Sequence, residues 1–143
     1  WHPEKTIPFS EYGGKWPAHC VHWTAGAQFP PGLELPEAAV IITKGEGPDD
    51  NGYSAFEGND AGGRPFSDAL NDGRINHLYV GGLATDYCVR HTVLDALKQG
   101  IGVTVLLDAV KGVDVKQGDS RRAIDEMIEN GADTITFEEL DLP

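Results

Sequence analysis

Leu78-Tyr79-Val80-Gly81-Gly82-Leu83-Ala84-Thr85-Asp86-Tyr87-Cys88-Val89-Arg90 carries the decisive transition of the chain, an apolar run that passes through two glycines into a segment with helical spacing. The run predicts a strand over 77–81. Beyond it, Val89, Val93, Leu94 and Leu97 fall on one face of a helix that the spacing predicts over 88–98, and Gly100 stands where that helix would stop. Cys88 therefore sits at a strand-to-helix turn. A thiol at a helix N-terminus feels unpaired backbone N–H groups and the positive end of the helix dipole, which favour thiolate and prepare a nucleophile. A buried structural cysteine fits the same position equally well, because such turns also occur without chemistry.

Outward from this turn the α/β rhythm continues. Residues 38–43, with Val40, Ile41 and Ile42, read as a short strand buried on both faces. The polar, glycine-rich 45–65 reads as loop, 66–72 as a short helix and 101–107 as a further strand. Ser120 is placed to cap a helix running through Asn130, in which Ala123, Ile124, Met127 and Ile128 repeat at helical spacing and Gly131 supplies the stop. Residues 134–137 close the pattern as a last strand. Strands alternating with helices imply an α/β fold with a parallel sheet and right-handed crossovers. By contrast, residues 1–36 are rich in Pro, Gly, Trp and His, lack periodicity, and read as one long structured loop with a single short turn of helix.

A chain of 143 residues with 40% hydrophobic and 24% charged content suits one soluble globular domain, 1–143, divided into the loop region 1–36 and an α/β core 37–143. The formal charge of −12 argues against nucleic acid or an anionic membrane as partner, since no basic stripe exists to release phosphate counterions. There is no apolar run long enough to span a bilayer. Two cysteines, Cys20 and Cys88, make no disulfide framework, which fits a reducing, cytoplasmic setting.

Ligands of open parallel sheets bind at the carboxyl ends of the strands. Lys44 follows one expected strand directly and Cys88 another, so both can open into one crevice. From position alone, a surface lysine ending an edge strand is the favoured reading of Lys44.

The string Gly82-Leu83-Ala84-Thr85-Asp86-Tyr87-Cys88-Val89-Arg90, followed by Thr92, Leu94, Asp95 and Ala96, closely resembles the nucleophile motif of nicotinamidases, the deamidating branch of the isochorismatase-like hydrolases. The resemblance implies a three-layer α/β fold and hydrolysis of nicotinamide to nicotinate and ammonia, serving NAD salvage. Cys88 would attack the carboxamide carbon and water would hydrolyse the thioester. Lys44 would belong to the catalytic triad, its ammonium stabilising the thiolate. The backbone N–H groups of Cys88 and Ala84, or a neighbour in the turn, would form an oxyanion hole, with a cis peptide expected at Leu83-Ala84.

A second stretch carries the same resemblance. Trp1-His2-Pro3, then Trp16-Pro17-Ala18-His19-Cys20-Val21, is similar to the metal region of that family. It implies His2 and His19 as ligands of one divalent metal ion, zinc foremost, with iron or manganese also suiting such donors. The family uses this ion to bind and polarise the pyridine nitrogen. Tyr53-Ser54-Ala55-Phe56-Glu57-Gly58 looks like the segment that brings an aromatic ring to the substrate, so Tyr53 and Trp16 are the expected walls of the pocket, with Phe56 as a core residue. His22 has metal-like spacing from His19, but the family motif usually has another residue there. His77 and His91 read as structural histidines, and Cys20 as a small packing residue.

In that family an aspartate ligand stands immediately before Trp-His-Pro, and the aspartate of the triad lies further upstream. Trp1 is the first residue here. The expectation is a domain incomplete at its N-terminus, lacking its first strand and, as given, showing little or no turnover. Asp108, at the end of the strand over 101–107, is a weak substitute for the missing carboxylate. The acidic Pro48-Asp49-Asp50-Asn51 loop reads as a solvated surface. Two alternatives stand beside this reading. One is another amidase of the superfamily acting on a carbamoyl or ureido group; the other is an inactive remnant that binds metal or ligand. The substrate partner is a small molecule, nicotinamide or an analogue, and a homo-oligomer is left open.

Overall fold

The computed structural model describes residues 1–140. Three parallel strands, β1 (His77–Leu83), β2 (Gly102–Lys111) and β3 (Asp133–Ile135), lie in the order β1-β2-β3 and are flanked by the helices α1 (Phe66–Asp72), α2 (Arg90–Lys98) and α3 (Asp119–Glu129). The fold is α/β, as the alternating pattern implies.

The core forms where α2 and α3 meet the centre of the sheet. Val93 and Ala96 from α2, Val103 and Val105 from β2, Met127 from α3 and Ala132 after it make one buried cluster. Burying each of the larger side chains contributes roughly 1.5–3 kcal/mol. Near the start of β2 three consecutive residues, 103–105, are buried, so both faces are covered there, and the Thr104 hydroxyl is satisfied by His77 Nε2 at 2.9 Å. Outside the cluster, Arg90 clasps Glu126 with two bonds of 2.6 and 2.7 Å and so ties α2 to α3. No helix among the described residues is long and apolar enough to cross a membrane.

Several sequence expectations change. Residues 38–43 form no strand: Val40 and Ile41 are 57% and 49% exposed, and only Thr43 pairs, in an isolated antiparallel bridge with Asn59. An apolar run becomes a strand only with a ladder partner, and among the described residues it has none beyond that bridge. The strand expected over 101–107 extends to Lys111, which puts Asp108 inside β2, where its carboxylate accepts the Phe137 N–H at 2.8 Å. Ser120 is not a cap. Gly118, at φ 84°, occupies the N-cap of α3, and the N–H and hydroxyl of Ser120 both donate to Asp114. The last strand is shorter than expected and Phe137 starts a 3-10 turn instead.

Residues 1–36 hold two 3-10 turns rather than one, Ser10–Tyr12 and Ala25–Ala27. Their order comes from two parallel bridges, His2 with Val21 and Phe9 with Trp16.

Candidate active site

The cysteine turn is set by the backbone after β1. The Leu83–Ala84 peptide bond is cis, and Thr85–Val89 form one π-type turn in which the Val89 N–H donates to the Ala84 carbonyl at 3.1 Å. The α-helix proper starts only at Arg90, two residues later than the spacing implies for Cys88. Asp86, inside this turn, accepts the N–H groups of Val113 and Asp114, both at 2.9 Å, and draws the 113–114 loop alongside.

Lys44 reaches the thiol directly. Its Nζ donates to Cys88 Sγ at 3.3 Å and also to the Gly52 carbonyl. A cation is thus fixed beside the sulfur by a second bond that does not involve it.

The imidazole pair is built from the loop region. The His2 N–H donates to the Cys20 carbonyl and the His22 N–H to the His2 carbonyl, both at 2.9 Å, and this pairing aligns residue 2 with the 19–21 segment. The rings of His2 and His19 lie 5.0 Å apart. Phe9, 1% exposed, packs beneath both at 5.5 and 5.4 Å. Each ring spends Nδ1 on a carbonyl, His2 on Gly45 at 3.1 Å and His19 on Pro17 at 2.8 Å. A carbonyl only accepts, so Nδ1 carries the proton and the Nε2 lone pair of each ring is free to bind a ligand. Burial pushes the His2 imidazole down to about 4, which keeps that lone pair available at neutral pH. The two nitrogens fit part of a metal site; among the described residues no group of three or more His, Cys, Asp or Glu completes one.

Gly45 makes the close approach feasible. Its φ is 74°, and a Cβ there would meet His2 Cε1 at 2.8 Å.

These pieces surround one cavity of about 540 Å³, and its lining includes all seven residues singled out from sequence: His2, Trp16, His19, Lys44, Tyr53, Ala84 and Cys88. Trp16 Nε1 donates to the Tyr53 hydroxyl at 3.0 Å, and the two rings form one wall with Tyr87, whose ring meets Trp16 edge-on at 4.7 Å. Tyr87, Trp1, Leu83 and Val113 also line the cavity. Sequence reasoning gave Tyr87, Trp1 and Val113 no role and Leu83 only its place in the expected cis bond, although Tyr87 and Trp1 stand inside the quoted motifs and adjoin Cys88 and His2. Cys20 is exposed and lines the same cavity, so it is not a packing residue. It cannot be packed because the turn that presents His19 carries the next residue outward too.

His22 lies outside the lining. It stacks edge-on with Trp1 at 5.2 Å and stands 3.9 Å from a Glu46 carboxylate oxygen. Asp108 is outside it too, and no aspartate or glutamate lines the cavity among the described residues.

Residues 5–139 match the Isochorismatase domain. The chain belongs to the isochorismatase family. Among its relatives, nicotinamidase of Escherichia coli (strain K12) is 44% identical over 123 residues, covering 85% of this chain and 58% of that protein. The chain thus spans little more than half of that relative's length. The crystal structure of Pyrococcus horikoshii pyrazinamidase in complex with zinc superposes with a TM-score of 0.84 at 47% identity, over 96% of this chain and 72% of that one. The structure of PnC1 from L. infantum in complex with nicotinate gives a TM-score of 0.85 at 31% identity, over 96% and 69%.

Proposed function

We propose that this isochorismatase-family domain is the part of a nicotinamidase-type amidohydrolase that carries the nucleophile, and that its substrate is nicotinamide or a close pyridine carboxamide. The observation that carries the reading is the contact of Lys44 with Cys88 inside the cavity that the imidazole pair and the aromatic wall enclose. The E. coli nicotinamidase and the nicotinate-bound L. infantum structure support the choice of ligand.

In this mechanism Trp16, Tyr53 and Tyr87 hold a flat heteroaromatic ring against their faces. The ring's carboxamide carbon then stands over Cys88. Attack by Sγ forms the C–S bond and puts negative charge on the amide oxygen, toward the backbone N–H groups of Cys88 and the Ala84 turn. The C–N bond breaks and ammonia leaves with the proton taken from the thiol. Water adds to the thioester, the C–S bond breaks, and nicotinate and free Cys88 result. Lys44 holds positive charge beside the sulfur while it is anionic. His2 and His19 would hold a divalent metal ion through Nε2, zinc foremost, and such an ion would supply a Lewis acid for the pyridine nitrogen. The reaction is one of NAD salvage, in the cytoplasm.

The proton shuttle needs a base, and no carboxylate lines the cavity among the described residues. That observation also favours a second reading, in which the chain binds metal and pyridine ligands without turnover. One experiment separates them. Zinc-loaded protein is incubated with nicotinamide and acid-quenched, and Cys88 is examined by mass spectrometry while ammonia is measured in the same samples. A nicotinoyl adduct on Cys88 with matching ammonia, both absent in Cys88→Ala, is the expected result. Nicotinate binding with neither adduct nor ammonia would leave the binding remnant, and absence of binding as well would remove the pyridine assignment.

A further inference from the structure

One wall of the cavity is braced from behind by a side chain that does not line it. His91 lies three residues beyond Cys88 on α2, and its ring stacks on Tyr53 with centroids 5.1 Å apart and planes inclined by only 22°. At the other end of the phenol, the hydroxyl takes the Trp16 Nε1–H at 3.0 Å. Tyr53 is therefore held at both ends, with its face against His91 and its oxygen against Trp16.

The backbone around Tyr53 is fastened by other groups. Ala55 N–H donates to Thr92 Oγ1 at 2.9 Å, and Ser54 N–H to Glu57 Oε1 at 2.8 Å within a capping box. Ser54 itself is 1% exposed. The position of residue 53 along the chain thus does not depend on His91. The Trp16 hydrogen bond restrains where the phenol oxygen lies but leaves rotation of the ring about its own axis to its ring neighbours, Tyr87 tilted against it at 5.6 Å and 45° and His91 lying nearly parallel to it. A flat partner stacked on the ring opposes that rotation.

We propose that His91 is a positioning residue that sets the plane of the Tyr53 ring and, through the Tyr53 hydroxyl, the orientation of Trp16, so that the cavity is preformed for a flat aromatic ligand. The wall geometry stands by itself; only the choice of ligand rests on the function proposed above. His91 suits the task because it stays uncharged at neutral pH. Burial lowers its pKa, with the neighbouring Arg90 guanidinium adding to the effect, against the opposing pull of Asp95, Glu57 and Glu126. A neutral imidazole stacks without drawing solvent into the wall.

The test compares the zinc-loaded full chain as wild type, His91→Ala, His91→Leu and His91→Phe. Two readouts are taken: the Kd for nicotinate by titration, and the exchange rate of the Trp16 Nε1–H resonance in 15N-labelled protein, assigned with Trp16→Phe. In His91→Ala the Kd should rise about fivefold, the worth of one aromatic pair, and the indole proton should exchange faster. His91→Phe restores both and His91→Leu, which keeps bulk without a flat face, does not. Unchanged values in His91→Ala overturn the proposal, as does His91→Phe behaving like His91→Ala. If His91→Ala fails to fold, the Leu and Phe variants decide the matter. If wild type binds no nicotinate, the ligand assignment alone falls, and the indole exchange rates still decide whether His91 orders the wall.

Discussion

Residues 1–36 and the sheet with its helices reach order by different routes, although both face the same cavity. In the sheet, order comes from apolar contact: Val93, Val105 and Met127 are fully buried and surrounded by further aliphatic side chains. In the loop region a single large apolar anchor, Phe9, does comparable work, and two isolated bridges, two imidazole-to-carbonyl bonds and a few ring contacts supply the rest. A region held by few, mostly polar links opens locally more easily than one held by a shared core. The nucleophile sits on the stiff side of the cavity, and the imidazole pair sits on the soft side. The comparison assigns rigidity to the reacting sulfur and leaves the ligand-holding nitrogens to be ordered by what they bind.

The sharpest way to break this comparison is to empty each anchor in turn. Phe9→Ala should cost about 3–5 kcal/mol and Met127→Ala about 2–5. The difference lies in where the loss appears. Hydrogen exchange should show Phe9→Ala releasing the amides of the loop region while β2 and α2 stay protected, and Met127→Ala lowering protection everywhere together. A global loss in both would mean that the two regions form one cooperative unit.

Acid provides a second probe of the soft side. His2 is held at about 4 in the fold against about 6.5 in an unfolded chain, so between these values the unfolded state binds the additional proton. Its share of stability is therefore complete above about pH 6.5 and drains as pH falls toward 4. Urea midpoints of the metal-free protein across that window measure it. His2→Gln should flatten the slope, and an unchanged slope would mean that His2 is not the group responsible.

Gly45→Ala targets the contact that seats His2 against the chain beyond residue 36. The new Cβ meets His2 Cε1 at 2.8 Å in a left-handed backbone conformation, at a cost of about 1–2 kcal/mol. Displacing the Gly45 carbonyl from His2 Nδ1 should also lower zinc affinity about tenfold or more, read by calorimetry. The smallest effect is expected at Lys15, whose ammonium lies 4.9 Å from the Trp16 ring centre and 4.7 Å from that of Tyr87. Lys15→Met should lower stability by only about 0.5 kcal/mol, the worth of an exposed cation–π contact. A markedly larger loss in chemical denaturation would show that charge, as well as ring contact, orders the loop.

The parts of this molecule that were legible in the sequence are those whose information is local. The 77–81 run and the helical spacing beyond Val89 specify strand and helix within a few residues, although the strand carries on through Gly82 to Leu83. The order Trp-His-Pro then Trp-Pro-x-His places two imidazoles in one region. The Lys44 to Cys88 contact came from the motif alone, because the strand expected before Lys44 does not form and Lys44 reaches the sulfur from a loop. What escaped depended on partners far away in the chain. Residues 38–43 are as apolar as a buried strand, yet an apolar run cannot reveal whether a ladder awaits it. Ser120 resembles a cap, but Asp114, six residues earlier, takes both of its donors. His91 gives no sign in sequence that its ring will lie on Tyr53, since the two meet only after the 45–65 loop has folded back over α2.

Lys44 and Gly45 are neighbours in the chain, and they serve different chemistry. The ammonium of one residue touches the sulfur, and the carbonyl of the next receives the imidazole proton. The path from His2 to Lys44 is short in sequence but passes through the backbone torsions of Gly45 and the full length of the lysine side chain. Two successive residues thus divide the cavity between them, one turned to its thiol and the other to its imidazole pair, so a single short stretch of chain carries both kinds of chemistry.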